Sequence, residues 1–339
     1  MMTDRILLGH GSGGTLMHKL IRDVIAPRLG VAGFGDSALC DLSGMISGMN
    51  RIAFTTDSFV VSPIFFPGGN IGDLSVYGTV NDLAVAGATP KYLSAGLIIE
   101  EGFPLADFIS VLDSMAGAAL AANVKVVAGD TKVVQKGSAE GIYINTTGIG
   151  IFEHGILPLV PSSIEPGDYI IQSAPIGLHG ISIIAQRNGI SFNPPIVSDL
   201  APLNLLTGDM ISFAGSIAAM RDPTRGGLST TLCEIAIESG FGVEVHEERI
   251  LVPPQVKGAC ELLGLDPMYV ANEGVLIAFV RRDMATAILS AMHGNDLGKD
   301  ALVIGEVTDS HPGRVILHTL IGGKRIVDML PGDMLPRIC

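Results

Sequence analysis

The apolar positions of this chain follow two rhythms. Short apolar runs bounded by Gly, Pro, Asn or Asp predict strands at 52–56 (ending at Asp57), 92–99, 124–128 (a buried strand delivering Gly129-Asp130) and 142–151. Elsewhere apolar residues return every three or four positions, which predicts helices. One holds Leu16, Leu20, Ile21 and Val24 and stops at Gly30. A second spans 71–87 with small residues on one face. A third carries Leu105, Phe108, Ile109, Leu112, Met115 and Ala119.

The alternation resumes beyond residue 166. Strands are predicted at 169–172, 276–280 and 301–307. Helices are predicted after Gly177-Leu178-His179-Gly180, after Gly226-Gly227 and over 284–292. Pro158, Pro161 and Pro166 interrupt the stretch between the halves and mark a domain boundary. Strands alternating with helices twice over predict two mixed α and β domains. The expected division is 1–35 as a Gly-rich segment and helix, 36–155 and 166–325 as the two domains, and 326–339 as an irregular tail.

The chain has 339 residues, enough for two domains with sizeable cores. Lys and Arg total 21 against 34 Asp and Glu, a net charge of -13. That balance argues against binding nucleic acid or an anionic membrane through a basic face. No apolar run reaches bilayer length, and residues 1–5 do not read as a secretory signal. Cys40, Cys233, Cys260 and Cys339 show no CxxC spacing, which reads as reduced thiols in a cytoplasmic protein.

Four acids sit at turns or element ends in the first half: Asp36, Asp57, Asp82 and Asp130. Any one of them alone reads as a cap or a turn residue. Together, in a charge-poor half, they suggest a divalent cation such as Mg²⁺ shared with phosphate. Lys132, two residues beyond Asp130, could complement that phosphate, or be an ordinary surface Lys. His10-Gly11-Ser12-Gly13-Gly14 could form an anion nest leading into a helix, although neither a P-loop nor a Rossmann fingerprint is present. Asp222-Pro-Thr-Arg225-Gly226-Gly227 places a cation and two glycines at a helix start, which suits phosphate equally or a plain N-cap. Glu273, just before a strand, could serve as a base, although a lone turn Glu usually faces solvent. Cys339, the last residue of an irregular tail, has the reach to enter a site or meet another protein.

The motifs His10-Gly-Ser-Gly-Gly, Thr55-Thr-Asp-Ser-Phe-Val-Val, Phe66-Pro-Gly-Gly-Asn-Ile-Gly-Asp, Gly78-Thr-Val-Asn-Asp-Leu-Ala, Glu100-Glu-Gly-Phe-Pro, Gly129-Asp-Thr-Lys, Arg221-Asp-Pro-Thr-Arg-Gly-Gly-Leu, Asp266-Pro-Met-Tyr-Val-Ala-Asn-Glu-Gly and Leu335-Pro-Arg-Ile-Cys run nearly end to end. Together they resemble the hydrogenase-maturation carbamoyl dehydratase (HypE) family. That family belongs to the ATP-binding superfamily of aminoimidazole ribonucleotide synthetase and selenophosphate synthetase, and the Pro-Arg-Ile-Cys ending singles it out. The resemblance implies an α+β fold of two α/β domains, with the N-terminal domains of a homodimer pairing into a β-barrel.

It implies an activity as well. A HypF-like carbamoyltransferase would load Cys339, and MgATP would activate the carbamoyl oxygen. Loss of phosphate would leave a thiocyanate, whose cyanide a HypC–HypD-like pair would carry to the iron of a [NiFe] centre. The resemblance assigns Cys339, Glu273 (base) and Lys132 to catalysis. It assigns Gly11, Ser12, Gly13, Gly14, Asp57, Asn81, Asp82, Asp130, Thr131, Arg225 and Gly226 to ATP, and Asp36, Asp57, Asp82 and Asp130 to Mg²⁺. Two rivals are an ATP-gated scaffold whose tail only docks a partner, and another phosphotransfer enzyme such as selenophosphate synthetase. The latter needs a Cys in its N-terminal loop, and this chain has none before Cys40.

Overall fold

The computed structural model describes residues 14–20, 22–23, 38–46, 49–153, 156–332 and 337–339. The first domain opens with helix α1 (Thr15–Leu20) and the antiparallel pair β1 (Ala38–Ile46) and β2 (Met49–Phe59). A two-residue ribbon, β3 (Phe65–Phe66) with β4 (Gly69–Asn70), leads into α2 (Ile71–Val85). Then come β5 (Thr89–Glu100), α3 (Leu105–Ala121), β6 (Lys125–Val134) and β7 (Ile142–Ile151). The sheet order is β1-β2-β7-β5-β6. Only β5 and β6 run parallel, because α3 provides the crossover that parallel neighbours require.

Side-chain alternation gives this sheet two unlike faces. On β2, Ala53, Thr55 and Phe59 are buried, whereas Phe54, Thr56 and Ser58 are exposed. On β5, Leu93, Ala95, Leu97 and Ile99 are buried, and Tyr92 and Ile98 are exposed. Helices α2 and α3 cover the first face. The other face is bare, and so is β6, whose Val126, Val127 and Val133 lie exposed along the sheet edge.

Helix α2 is buried almost all round, which is why its sequence shows small and apolar residues on every side. Asn70 caps its start by accepting the Gly72 N–H at 2.7 Å, while Asp73 accepts the Asn70 N–H at 3.0 Å, a reciprocal box. Burying such a helix requires its polar groups to be paired. Thr146 of β7 donates to the Ser75 carbonyl at 2.8 Å and shares a hydrogen bond with Thr79.

The second domain comprises β8 (Tyr169–Gln172), α4 (Leu178–Arg187), α5 (Asn204–Met210), β9 (Ile217–Arg221), α6 (Gly227–Ser239) and β10 (Gly242–His246). It continues with α7 (Pro254–Leu263), β11 (Ile277–Val280), α8 (Ala285–His293), β12 (Leu302–Thr308), β13 (Val315–His318) and β14 (Lys324–Val327). Its sheet order is β14-β13-β10-β12-β8-β11-β9. Strand β11 lies inside that sheet, so Ile277, Ala278, Phe279 and Val280 are all fully buried.

The expected strands recur, as do the expected helices that fall within the described residues; the helix expected to run from Leu16 to Gly30 is described only over Thr15–Leu20, and β1, β9, β10, β13, α5 and α7 add to the expected set. Strand β6, expected to be buried, is exposed because it is the edge of the sheet. Strands β2 and β6 run past the turns expected at Asp57 and Asp130, so both acids lie within strands. Strand β14 carries the second sheet to Val327, two residues into the stretch expected as tail. Among the described residues, no helix is long and apolar enough to cross a membrane.

Candidate active site

The two domains meet at Asn81, on the buried side of α2. Its side-chain amide donates to the carbonyls of Ala201 and Glu273, both at 3.1 Å, and its oxygen accepts the Leu203 N–H at 2.7 Å. This corrects the expectation that Asn81 touches nucleotide: it is fully buried and its donors and acceptor serve the second domain. What it holds is the main chain of Glu273. From the other side the Glu273 N–H donates to Asp199 Oδ1 at 3.2 Å. Gly274 follows because the Asp199 carbonyl passes where a side chain would start: a Cβ there would lie 1.8 Å from it.

The turn at Asn272-Glu273-Gly274 is therefore clamped, and Glu273 is buried. Among the described residues its Oε1 has no hydrogen-bond partner. Burial, reinforced by Asp222, Asp199 and Asp57, pushes its carboxyl well above the ordinary carboxylate range, and Arg225 only partly opposes that. Asp199 is pushed up to about 7, again chiefly by burial, and its Oδ2 is also unpartnered.

Arg225 sits in the loop entering α6. Gly227 begins that helix with φ +60, and a Cβ there would come 2.6 Å from the Val270 carbonyl. Only glycine permits that approach, and it seats the loop against residues 267–270. The guanidinium then meets several acidic groups at once. It lies 3.6 Å from Asp57 Oδ1 and interacts electrostatically with Cys339, Glu273 and Asp82. These groups raise its already high pKa further, with Cys339 the largest influence. Asp82 joins the group through Thr55, whose hydroxyl donates to Asp82 Oδ2 at 2.8 Å.

Cys339 completes the cluster. The tail lies alongside the end of β2, where Val60 N–H donates to Cys339 O at 3.3 Å and Ser62 N–H to Arg337 O at 3.0 Å. Ile338 is buried in the first domain's core. Its carbonyl accepts from His179 Nε2 at 2.6 Å. Arg187 donates to Arg337 O at 2.8 Å, and the Arg337 side chain pairs with Glu140. Arg337 holds φ +59, a left-handed backbone that costs an L-residue roughly 1–2 kcal/mol and that these contacts offset. Burial pushes the Cys339 thiol up to about 12. Arg225 pulls it down, by charge and by a hydrogen bond, less strongly than burial raises it.

The acids do not all converge. Asp57 shares the strand parity of Thr55 and Phe59, under the helices, whereas Asp130 is registered with Gly96 and Lys132 with exposed Ile98. Strands β7 and β5 lie between β2 and β6. At about 4.8 Å per strand, Asp57 and Asp130 stand on the order of 14 Å apart along the sheet. Within one chain, then, Asp130 does not converge with Asp57, and Asp36 lies outside the described residues. Among the described residues, no three His, Cys, Asp or Glu side chains converge as a metal site.

Asp130, Thr131 and Lys132 are exposed on the edge strand. Gly226, in a left-handed conformation, precedes α6 beside Arg225. Gly14 is buried, and the next N–H, of Thr15, donates to Leu330 O at 3.0 Å. Gly11, Ser12, Gly13 and Asp36 lie outside the described residues. Sequence reasoning missed His179, Arg187 and Asp199, because a turn histidine, a helix-end arginine and a loop aspartate carry no signal of burial.

Asp57 and Asp82 fit a Mg²⁺ site, since that ion takes one or two carboxylates and completes its shell with phosphate and water. The cation Arg225 beside them fits a phosphate oxygen.

Comparison with known proteins agrees over the whole chain. Residues 35–152 match the family model described as AIR synthase related protein, N-terminal domain, and residues 165–318 match its C-terminal counterpart. The carbamoyl dehydratase HypE of Cupriavidus necator is 48% identical over 340 residues, covering 99% of this chain and 95% of the relative. A crystal structure of a HypE–HypF complex superposes with a TM-score of 0.85 at 44% identity, over 92% of this chain and 99% of that one. A crystal structure of HypE in complex with ATP superposes at 0.82 and 42% identity, over 99% of this chain and 100% of that one.

Proposed function

The chain belongs to the HypE carbamoyl dehydratase family, and on that premise we propose that it dehydrates an S-carbamoyl group on its own Cys339 to a thiocyanate, at the expense of ATP, to supply the cyanide of a [NiFe]-hydrogenase. The observation that carries this reading is the docked tail: the thiol shares one half-buried cluster with Arg225, Glu273 and Asp57. A tail that served only to dock a partner would have no need of a buried, unpartnered carboxyl beside its last residue. That argues against the scaffold alternative.

The residues divide the chemistry. A carbamoyl oxygen is a poor leaving group, and MgATP, when bound, supplies the phosphoryl group that makes it a good one. Asp57 and Asp82 would hold the metal, and Arg225 would compensate negative charge on the oxygen. The carbamoyl nitrogen must lose both protons to become a nitrile. Glu273 is the base that takes the first, and the second leaves with the departing phosphate; burial raises the affinity of the Glu273 carboxylate for that proton.

Asp130 and Lys132 cannot reach this cluster along their own sheet. The bare face and the exposed edge of β6 suit pairing with a second copy, which brings Asp130 and Lys132 of the partner subunit to the nucleotide. HypF-like loading and delivery to a HypC–HypD-like pair then require the tail to leave, in a cytoplasmic homodimer.

The experiment is subunit mixing. Lys132→Ala and Glu273→Gln should each be inactive alone. Co-refolded one to one, half the dimers carry both variants, and each of these keeps one intact site, so about a quarter of wild-type dehydration should return. If mixing restores nothing while both variants dimerise, the site is not shared between subunits.

A further inference from the structure

The tail is held by two kinds of contact that do different jobs. Val60 and Ser62 N–H groups bond Cys339 O and Arg337 O, an antiparallel step that extends β2. Between these two carbonyls, that of Ile338 turns away from residues 60–62, and His179 meets it. Two main-chain bonds alone would tolerate a slip of two residues, which keeps every side chain on its face. Such a slip would move the thiol away from Arg225 and Glu273.

The His179 ring can fix the register because it is itself fixed. It is fully buried, and Phe66 packs edge-on against it at 5.5 Å between ring centroids. Its Nδ1 faces Ser198 Oγ at 2.8 Å, and Ser198 Oγ also accepts the Leu200 N–H at 3.2 Å. The serine proton therefore points to Nδ1, leaving the ring proton on Nε2 to be donated to the Ile338 carbonyl. Burial lowers the ring's pKa to about 4, so the ring stays neutral in this tautomer.

We propose that His179 is a positioning residue of the dehydration: with Arg187 it locks the register of the tail, so that the group on Cys339 meets Arg225 and Glu273. The proposal rests on Cys339 being the carrier. The lock grips main-chain oxygens, so it holds the tail alike with a free, carbamoylated or cyanated sulfur. Leaving is then a competition between this groove and a partner for the same short segment, rather than a response to the chemical state of the sulfur.

The test uses the full-length protein and a timed pulse of iodoacetamide, with each cysteine quantified by peptide mass spectrometry. His179→Ala should raise Cys339 alkylation about tenfold, the equivalent of one lost hydrogen bond. Cys233 and Cys260, both buried, report any general unfolding. His179→Gln should restore protection, because an amide both donates to the carbonyl and accepts from Ser198. If His179→Ala also exposes Cys233, Arg187→Ala replaces it, and several-fold faster Cys339 alkylation is expected there. In the carbamoylated protein, His179→Ala should lower the dehydration rate and leave ATP affinity unchanged. Unchanged Cys339 alkylation in a folded His179→Ala or Arg187→Ala protein would overturn the lock. Failure of the wild-type protein to dehydrate would overturn the carrier reading instead.

Discussion

The two faces of the first sheet present opposite states of completion. Under the helices, Asp57, Asp82, Arg225, Glu273 and Cys339 form a half-buried cluster drawn from both domains and the tail. On the bare face and along β6, Asp130, Thr131 and Lys132 stand exposed with Val126, Val127 and Val133. The groups proposed to deprotonate and to carry the carbamoyl group are brought together within one chain. Asp130 and Lys132, proposed to act on the nucleotide from a second copy, sit on an exposed strand edge.

The contrast can be broken from either side. Cys339→Ser should have the largest effect: it removes the sulfur that carries the carbamoyl group, so dehydration should vanish while ATP still binds, as isothermal titration would show. ATP turnover coupled to product at full rate in this variant would dismiss the half-buried cluster as the site of chemistry.

Glu273→Gln comes next. Loss of a general base should lower the rate of thiocyanate formation by roughly 10²–10⁴-fold. The same substitution should alter stability in the opposite sense. The folded carboxyl is pushed above its ordinary value of 4.5, so its contribution is fully present below pH 4.5. That contribution is lost as pH rises and the unfolded chain ionises first. The variant should melt higher than wild type at pH 7 and lack this part of the pH slope. A lower melting temperature would mean that the charge is satisfied in the fold.

Asn81→Ala probes the seam that holds the base. It leaves two carbonyls and one N–H without the partner they had, at about 1–3 kcal/mol for each group left unpaired in the interior. Urea unfolding should report a loss of several kcal/mol. A change under 1 kcal/mol would mean that water serves these groups equally well.

The smallest effect concerns the thiol. Docked, it is pushed up to about 12 from an ordinary 9.0. Below pH 9 it is protonated whether docked or free, and docking is at full strength. Above pH 9 only the free tail ionises, so release should gain up to tenfold per pH unit until about 12. Trypsin clipping after Arg337 should therefore accelerate between pH 9 and 10, and Cys339→Ser should abolish that acceleration.

The sequence carried the periodic elements well. Helix α3 and strands β7 and β8 start or end within a residue or two of where alternation and helical spacing place them, because each buries one regular face. The turn at Asn272-Glu273-Gly274 was visible, but burial of Glu273 was not, since it comes from Asn81 and Asp199, distant in sequence. The acids misled for a similar reason. Asp57 and Asp130 look alike as residues after a strand, and only sheet order and register place them three strands apart. His179 gave no sign of its role, because the oxygen it holds is 159 residues away.

The most direct test of the central claim is mass spectrometry of the C-terminal peptide. The purified protein is carbamoylated with cyanate, incubated with MgATP and digested. The account predicts that the Cys339 peptide loses the mass of one water, only when ATP is present. An unchanged carbamoyl peptide, with ATP bound and Cys339 fully loaded, would contradict it.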